Sequence, residues 1–339
     1  MKTSTDLQFL PPERVVPQLQ FAPAAVPAWP LRRYTLAGPT MGTRFSAVFY
    51  TAVEPGLDTL RGELQAAVDR VDNQMSTWKE DSDLSRLNQA PLGEWVDVPG
   101  ELLTVVSAGL EIARASGGAF EIGVGELVDA WGFGPRRRQP DAPSIAQLAS
   151  SPRRPTADLI EVDTNRSRIV KRGPVAFDLS GIAKGFGVDQ LAECLERFGI
   201  TRYLVSIDGE VRASGLKPGG APWMVAVEQP VREVRDAARV QEVSDIALAT
   251  SGDYRHFAEH EGATISHTMD PRTGRPVVNT LASVTVAAST CMVADAWATA
   301  LIVLGLEAAM ELANRLGIRA LLMFREAGTW KELAVGGFE

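Results

Sequence analysis

The sequence predicts an α+β protein, and two patterns and one absence carry that prediction. Thr43 to Tyr50 alternates, with Phe45, Ala47 and Phe49 on one face, as a half-buried strand does. Leu57, Leu60, Leu64, Val68, Val71 and Met75 recur every three or four residues, which lays one apolar stripe along a helix. Further on, strands and helices mix without the regular strand–helix–strand rhythm of a parallel sheet.

The elements follow in order. Residues 1–30 hold six prolines, at 11, 12, 17, 23, 27 and 30. Proline lacks a backbone donor and blocks helix, so this stretch reads as an extended arm or linker. Structure is expected from about Leu31. A second amphipathic helix spans about 101–116 and should stop at Gly117-Gly118. The stretch 133–155 carries five prolines and the basic patches 136–138 and 153–154, and reads as a surface loop. Residues 203–207 and 223–228 read as strands, with a turn at Asp208-Gly209 between them. The C-terminal part reads as strand 282–288, helix 292–304, helix 306–316 and strand 318–324. No repeat of fixed period is present.

Composition narrows the function classes. The 339 residues carry 34 Lys+Arg against 42 Asp+Glu, a net charge of −8. Without an extended basic stretch, general nucleic-acid binding is excluded as an expectation. Cys194 and Cys291 lie 97 residues apart, which makes neither a disulfide framework nor a zinc knuckle. Both are expected to be buried small hydrophobes. The longest uncharged stretch, 276–294, contains a proline, an asparagine and several Ser and Thr, so no transmembrane segment is expected. Asp6, Pro11, Pro12 and Glu13 follow Lys2 without an apolar run, so the chain as given is expected in the cytoplasm.

Several residues can carry chemistry. Neither G-x-G-x-x-G nor G-x-x-x-x-G-K-[ST] occurs. The run 181–187, Gly-Ile-Ala-Lys-Gly-Phe-Gly, opens a helix, and free N–H groups at such a start suit phosphate. An ordinary helix entry has the same look. Asp178 lies in the apolar run 175–180, read as a strand, where an acid must be paired. It is either a helix cap or a ligand contact. Asp295 lies in an equally apolar run, and Thr299, four residues on, shares its helical face. With a backbone carbonyl from elsewhere they would make an oxygen-only site acceptable to magnesium. Alternatively, Asp295 caps or bonds to its neighbours. The pattern H-x-x-E-H at 256–260 resembles an inverted zinc-peptidase motif, but Gly252 and Gly262 bracket only nine residues, too few for the helix it needs. His267 stands where a strand runs into a turn.

Taken together and in one order, these pieces form a pattern. They are Met41-Gly42-Thr43, Met75-Ser76-Thr77-Trp78 with the run 83–88, Gly118-Ala119-Phe120-Glu121, Trp131-Gly132-Phe133-Gly134, the run 178–185, Asp208-Gly209-Glu210, the run 266–274 and the run 295–300. From about Tyr34 to Phe324 the sequence resembles the ApbE family, the FAD:protein FMN transferases once described as thiamine-biosynthesis lipoproteins. The resemblance implies an ApbE-like fold of mixed, mainly antiparallel sheets packed with helices. It also implies a single composite catalytic domain, 31–339, with the active site between its two halves. The implied activity is Mg²⁺-dependent cleavage of FAD and transfer of FMN, as a phosphoester, to a Thr or Ser of an acceptor protein, with release of AMP.

By the same resemblance, Met41, Trp78, Ala119, Phe120, Glu121, Asp178, Lys184 and Met269 line the FAD site. The carbonyl of Gly181 and the side chains of Asp295 and Thr299 hold magnesium. His267 takes the proton from the incoming hydroxyl, and Lys184 offsets pyrophosphate charge. The sequence departs from the family at Glu121, where many relatives have Asp, and at Gly181, often Ala. No Cys precedes residue 194, so a lipid anchor is not expected. The family's target pattern, Asp then Ser/Thr-Gly-Ala-Thr, is kept only in its last three residues at 261–264, so self-flavinylation is not expected. An FAD pyrophosphatase, a passive flavin binder and a zinc peptidase are the rival readings.

Overall fold

A computed structural model describes residues 30–339 except 137–138, 151–152, 232–235, 254–256, 261–262 and 339. The Pro-rich arm, apart from Pro30, therefore lies outside the described residues. Strands β1 (Arg32–Thr40) and β2 (Thr43–Thr51) make a hairpin with Thr40 opposite Thr43. Its loop has Met41 at φ 46° and Gly42 at φ 71°, the two positive angles of a type I′ turn. Helix α1 (Leu57–Met75) buries Leu60, Leu64, Val68, Val71 and Met75, as the stripe requires. Helix α2 (Asp83–Gln89) is capped by Ser82, whose hydroxyl accepts from the Ser85 N–H at 2.9 Å. Strand β3 (Trp95–Asp97) precedes α3 (Gly100–Ala115), which ends at Gly117 and Gly118, both at positive φ.

Helices α4 (Gly125–Ala130) and α5 (Ala142–Ser150) come next. Helix α5 corrects the loop expected over 133–155. Pro140 precedes it and Pro143 stands in its first turn, where no N–H partner is needed. Strands β4 (Ile160–Asp163) and β5 (Arg168–Lys171) join β3 in a small antiparallel sheet. Residues 174–179 belong to no strand or helix, so Asp178 is not the strand acid expected.

Helix α6 (Ala183–Arg197) leads to β6 (Tyr203–Ile207), β7 (Glu210–Ser214), β8 (Trp223–Glu228), β9 (Ala237–Val243) and β10 (Ile246–Gly252). The turn at Asp208-Gly209 joins β6 to β7, a strand not foreseen, rather than to β8. Strand β11 (Phe257–His260) pairs with β12 (Ala263–Ser266), so the segment of the H-x-x-E-H pattern that is described is extended, not helical. His256 lies outside the described residues. Short strands β13 (Met269–Asp270) and β14 (Arg275–Pro276) pair across Thr273-Gly274. The chain closes with β15 (Leu281–Ala288), α7 (Cys291–Leu304), α8 (Leu306–Leu316), β16 (Arg319–Glu326) and β17 (Thr329–Val335).

Among the described residues the largest sheet has eight strands in the order β1-β2-β6-β7-β10-β15-β16-β17, every pair antiparallel. One face buries Phe45, Phe49, Tyr203, Val205 and Val284 against α1, α6, α7 and α8. The β8–β9 ribbon packs on the other face through Trp223 and Val227. A second apolar cluster lies beyond the helices and joins α1, α2, α3 and Phe120 to Ala296 and Ala300 of α7. Helix α7 is thus buried on two sides, which explains its nearly continuous apolar sequence. Both cysteines are free and buried. No described helix is long and apolar enough to cross a membrane.

Candidate active site

The register of the large sheet brings several turns to one end. Phe45 pairs with Ile207, so the Met41-Gly42 and Asp208-Gly209 turns lie side by side. Leu248 pairs with Val211, which carries the end of β10, with Ser251, to the same end. Asp208, like Met41, is a non-glycine residue at positive φ, here 57°. Such backbone is sparsely populated, and two instances meet here.

Two helices cross this end in antiparallel contact. A Cβ added at Gly181 would stand 3.1 Å from Thr299 Oγ1 and 3.3 Å from a ring carbon of Phe120. One turn along, the Gly185 N–H donates to Asp295 Oδ2 at 2.9 Å. A Cβ at Gly185 would lie 2.3 Å from the Cys291 carbonyl oxygen, so glycine permits the close approach. Thr299 Oγ1 also lies 3.1 Å from Ser251 Oγ. The three residues expected to hold a metal, Gly181, Asp295 and Thr299, are therefore brought together from two segments.

Of the charges around them, Asp295 and Glu210 are buried and Lys184 and Asp208 are half-buried. Lys184 Nζ donates to Glu210 Oε1 at 2.8 Å and stands 3.6 Å from Asp208 Oδ2. Burial alone would lower its pKa, but Glu210, Asp295 and Asp208 outweigh this and hold the ammonium above its usual range. Asp295 is only 4% exposed. Burial first, and then the charge of Glu210, push its carboxyl up to about 7, against the pull of Lys184 and the Gly185 N–H. Glu210 Oε2 is buried without a hydrogen-bond partner. Three carboxylates here, Asp208, Glu210 and Asp295, share the Lys184 ammonium, and a hard divalent cation fits that surplus of negative charge. Among the described residues no group of three or more His, Cys, Asp or Glu side chains is gathered for a metal. A cation here would depend on mixed oxygen donors.

The other expected residues fall into three places. Met41 reaches toward α6, its Cε 3.1 Å from where a Cβ of Gly187 would be. Ala119 and Phe120 are buried in the two adjoining clusters. Glu121 accepts from the Thr156 N–H at 3.3 Å and from its hydroxyl. Burial raises the Glu121 carboxyl, opposed by those bonds and by Arg153. Asp178 accepts from the Ser180 N–H at 2.8 Å and from its hydroxyl, while its own N–H donates to the Ile122 carbonyl. It closes a local turn and does not cap α6, whose first residue is Ala183.

His267 and Met269 form a separate group. Met269 packs with Leu127 and Trp131, and the His267 ring meets Phe133 edge-on at 6.4 Å. Helix α4 links this group to the first, because the Gly125 N–H donates to the Ala176 carbonyl, two residues before Asp178. Trp78 stands just past α1 and is 51% exposed, where an indole can offer a stacking face. Sequence reasoning placed Asp208, Glu210 and Gly185 in its motifs without giving them a role, and it missed Ser251. One signal for Glu210 is an acid directly after the Asp208-Gly209 turn, at the head of a strand that buries Val211 and Ala213.

The ApbE family model matches residues 41–322. The FAD:protein FMN transferase of Vibrio cholerae is 38% identical over 314 residues, covering 91% of this chain and 93% of that protein. That of Escherichia coli K12 is 35% identical over 305 residues, covering 87% and 85%. The solved flavin transferase ApbE from Vibrio cholerae superposes with a TM-score of 0.80 at 37% identity, covering 91% of this chain and 99% of that one. The apo flavinyl transferase ApbE of Pseudomonas stutzeri gives 0.80 at 34% identity, covering 90% and 95%.

Proposed function

The chain belongs to the ApbE family, and from that premise we propose that it is an FAD:protein FMN transferase. It cuts the FAD pyrophosphate, passes the FMN phosphoryl to a Thr or Ser hydroxyl of an acceptor protein, and releases AMP. The observation that carries this reading is the meeting of Gly181, Thr299, Asp295 and Lys184 at one sheet end. Simple flavin storage does not need a buried carboxylate–hydroxyl pair of this kind.

The residues divide the work. Asp295 and Thr299 side chains with the Gly181 carbonyl would hold Mg²⁺, which when bound neutralises charge on phosphate oxygens. Lys184 stays protonated beside Glu210 and supplies a fixed positive charge toward the pyrophosphate. Met41, Phe120 and Met269 offer thioether and aromatic surface to planar rings. Trp78 and Ala119 complete that lining, and Asp178 and Glu121 add polar contacts. The longer Glu121 side chain is steadied by Thr156. His267 accepts the proton of the incoming hydroxyl, because an unassisted Thr or Ser is a weak nucleophile.

A direct test incubates the protein with FAD, Mg²⁺ and a peptide carrying the family's target pattern, followed by mass spectrometry. An FMN adduct with AMP release is expected. Free FMN and AMP without an adduct would make the protein an FAD pyrophosphatase, and unchanged FAD would reject both readings. His267→Asn is expected to slow transfer by about a hundred- to ten-thousandfold. FAD binding, followed by quenching of flavin fluorescence, should hold. Wild-type transfer rates in that variant would remove His267 from the mechanism.

A further inference from the structure

The contact between α6 and its preceding loop on one side and α7 on the other keeps one register. Gly181 faces Thr299 and Gly185 faces Asp295. Four residues further along α6 and four back along α7, Asp189 faces Cys291 and Met292. Asp189 is 5% exposed, and no step of the transfer chemistry uses it. Its Oδ1 accepts from the Cys291 N–H at 2.9 Å, and its Oδ2 accepts from the Met292 N–H at 2.9 Å. Arg212 Nη1 donates to the same Oδ1 at 2.8 Å. Arg212 lies on β7, two residues after Glu210, the partner of Lys184.

Helix α7 already has its own cap, the Thr290 hydroxyl, which accepts from the Val293 N–H at 3.4 Å. Asp189 therefore adds to a capped helix a fixing from a different element. The two N–H groups it takes are those of α7's first two residues, where a carboxylate also meets the favourable end of the helix dipole. Any slip of α7 along α6 would break both bonds together, and the same slip would part Thr299 from Gly181.

We infer that Asp189 is a positioning residue that sets the register of α7 against α6 and so assembles the metal-binding trio at the far end of the contact. Arg212 orients it and ties the register to the strand that carries Glu210. The inference rests on the transferase reading for its choice of metal, not for its geometry.

Asp189→Asn tests it, since the amide keeps the shape but turns a donor toward an N–H or toward Arg212. The readout is Mn²⁺ affinity by electron paramagnetic resonance on protein without FAD, beside a Mg²⁺ titration of FAD turnover. A ten- to hundredfold weaker Mn²⁺ affinity is expected, about the range seen when outer partners of metal ligands are lost. The half-saturating Mg²⁺ should rise in parallel, and turnover should return toward wild type at saturating Mg²⁺. A merely structural role would lower the melting temperature of Asp189→Asn and leave its Mn²⁺ affinity unchanged, which would overturn the inference. If Asp189→Asn does not fold, Arg212→Gln decides, with several-fold weaker Mn²⁺ binding expected and unchanged binding counting against the inference. A wild-type protein that binds neither Mn²⁺ nor Mg²⁺ would overturn the metal reading itself, and this inference with it.

Discussion

Asp295→Asn is expected to cut FMN transfer on the order of a thousandfold at millimolar Mg²⁺ while leaving the fold intact. The change removes one charge and almost no volume. Asparagine keeps a carbonyl oxygen that can accept the Gly185 N–H now donated to Asp295 at 2.9 Å. It also ends the repulsion with Glu210 that, after burial, opposes ionisation of Asp295. In the metal-free protein the urea midpoint should therefore stay level or rise, even as catalysis is lost. That opposite movement of stability and activity separates loss of a metal-binding charge from general damage. Transfer within tenfold of wild type, measured by FMN-peptide formation, would show that Asp295 holds no essential cation.

Gly185→Ala is expected to fail in both respects. The added Cβ would lie 2.3 Å from the Cys291 carbonyl oxygen, 2.7 Å from its carbon and 2.8 Å from Asp295 Cβ. Two of those three atoms are helix backbone, which cannot swing away as a side-chain tip can. Relief requires α6 and α7 to separate. Overpacking of this kind costs about 1–3 kcal/mol. Separation also stretches the Gly185–Asp295 bond and moves Thr299 away from Gly181. A lower urea midpoint together with transfer below about a tenth of wild type is expected, since small misplacements of reacting groups are costly. A variant with unchanged midpoint and full activity would mean the helices are not closely packed at this point.

What the sequence reveals of this site depends on whether the partners share an element. Asp295 and Thr299 are legible together because one helix carries both, four residues apart. The glycine-rich entry to α6 is legible for the same local reason. That the two segments meet is not local, and it enters only through the family resemblance. Glu210 is named as part of a motif, but its pairing is not legible because its partner Lys184 lies 26 residues earlier on another element. Asp178 misleads in the opposite way. Its apolar neighbours suggest a strand, yet the segment bonds to Ile122, to Gly125 and to the Asn88 side chain rather than along a ladder, and the acid is satisfied two residues on by Ser180. Helix α5 is hidden by prolines that stand at its start, where they do no harm. The large sheet is partly legible: the alternation in β2 is clear, whereas β7 is short and its turn reads equally well as a link to β8.

The register between α6 and α7 also orders events in time. Its bonds join residues 110 apart at Gly185–Asp295 and 102 apart at Asp189–Cys291. At synthesis rates of about 5–20 residues per second, α7 leaves the ribosome on the order of 5–20 s after α6. The Lys184–Glu210 pair spans 26 residues and can close during that interval. A nascent chain can therefore first hold Glu210 against Lys184, without the helix that carries Asp295 and Thr299. The proposed site is therefore assembled only after α7 has emerged.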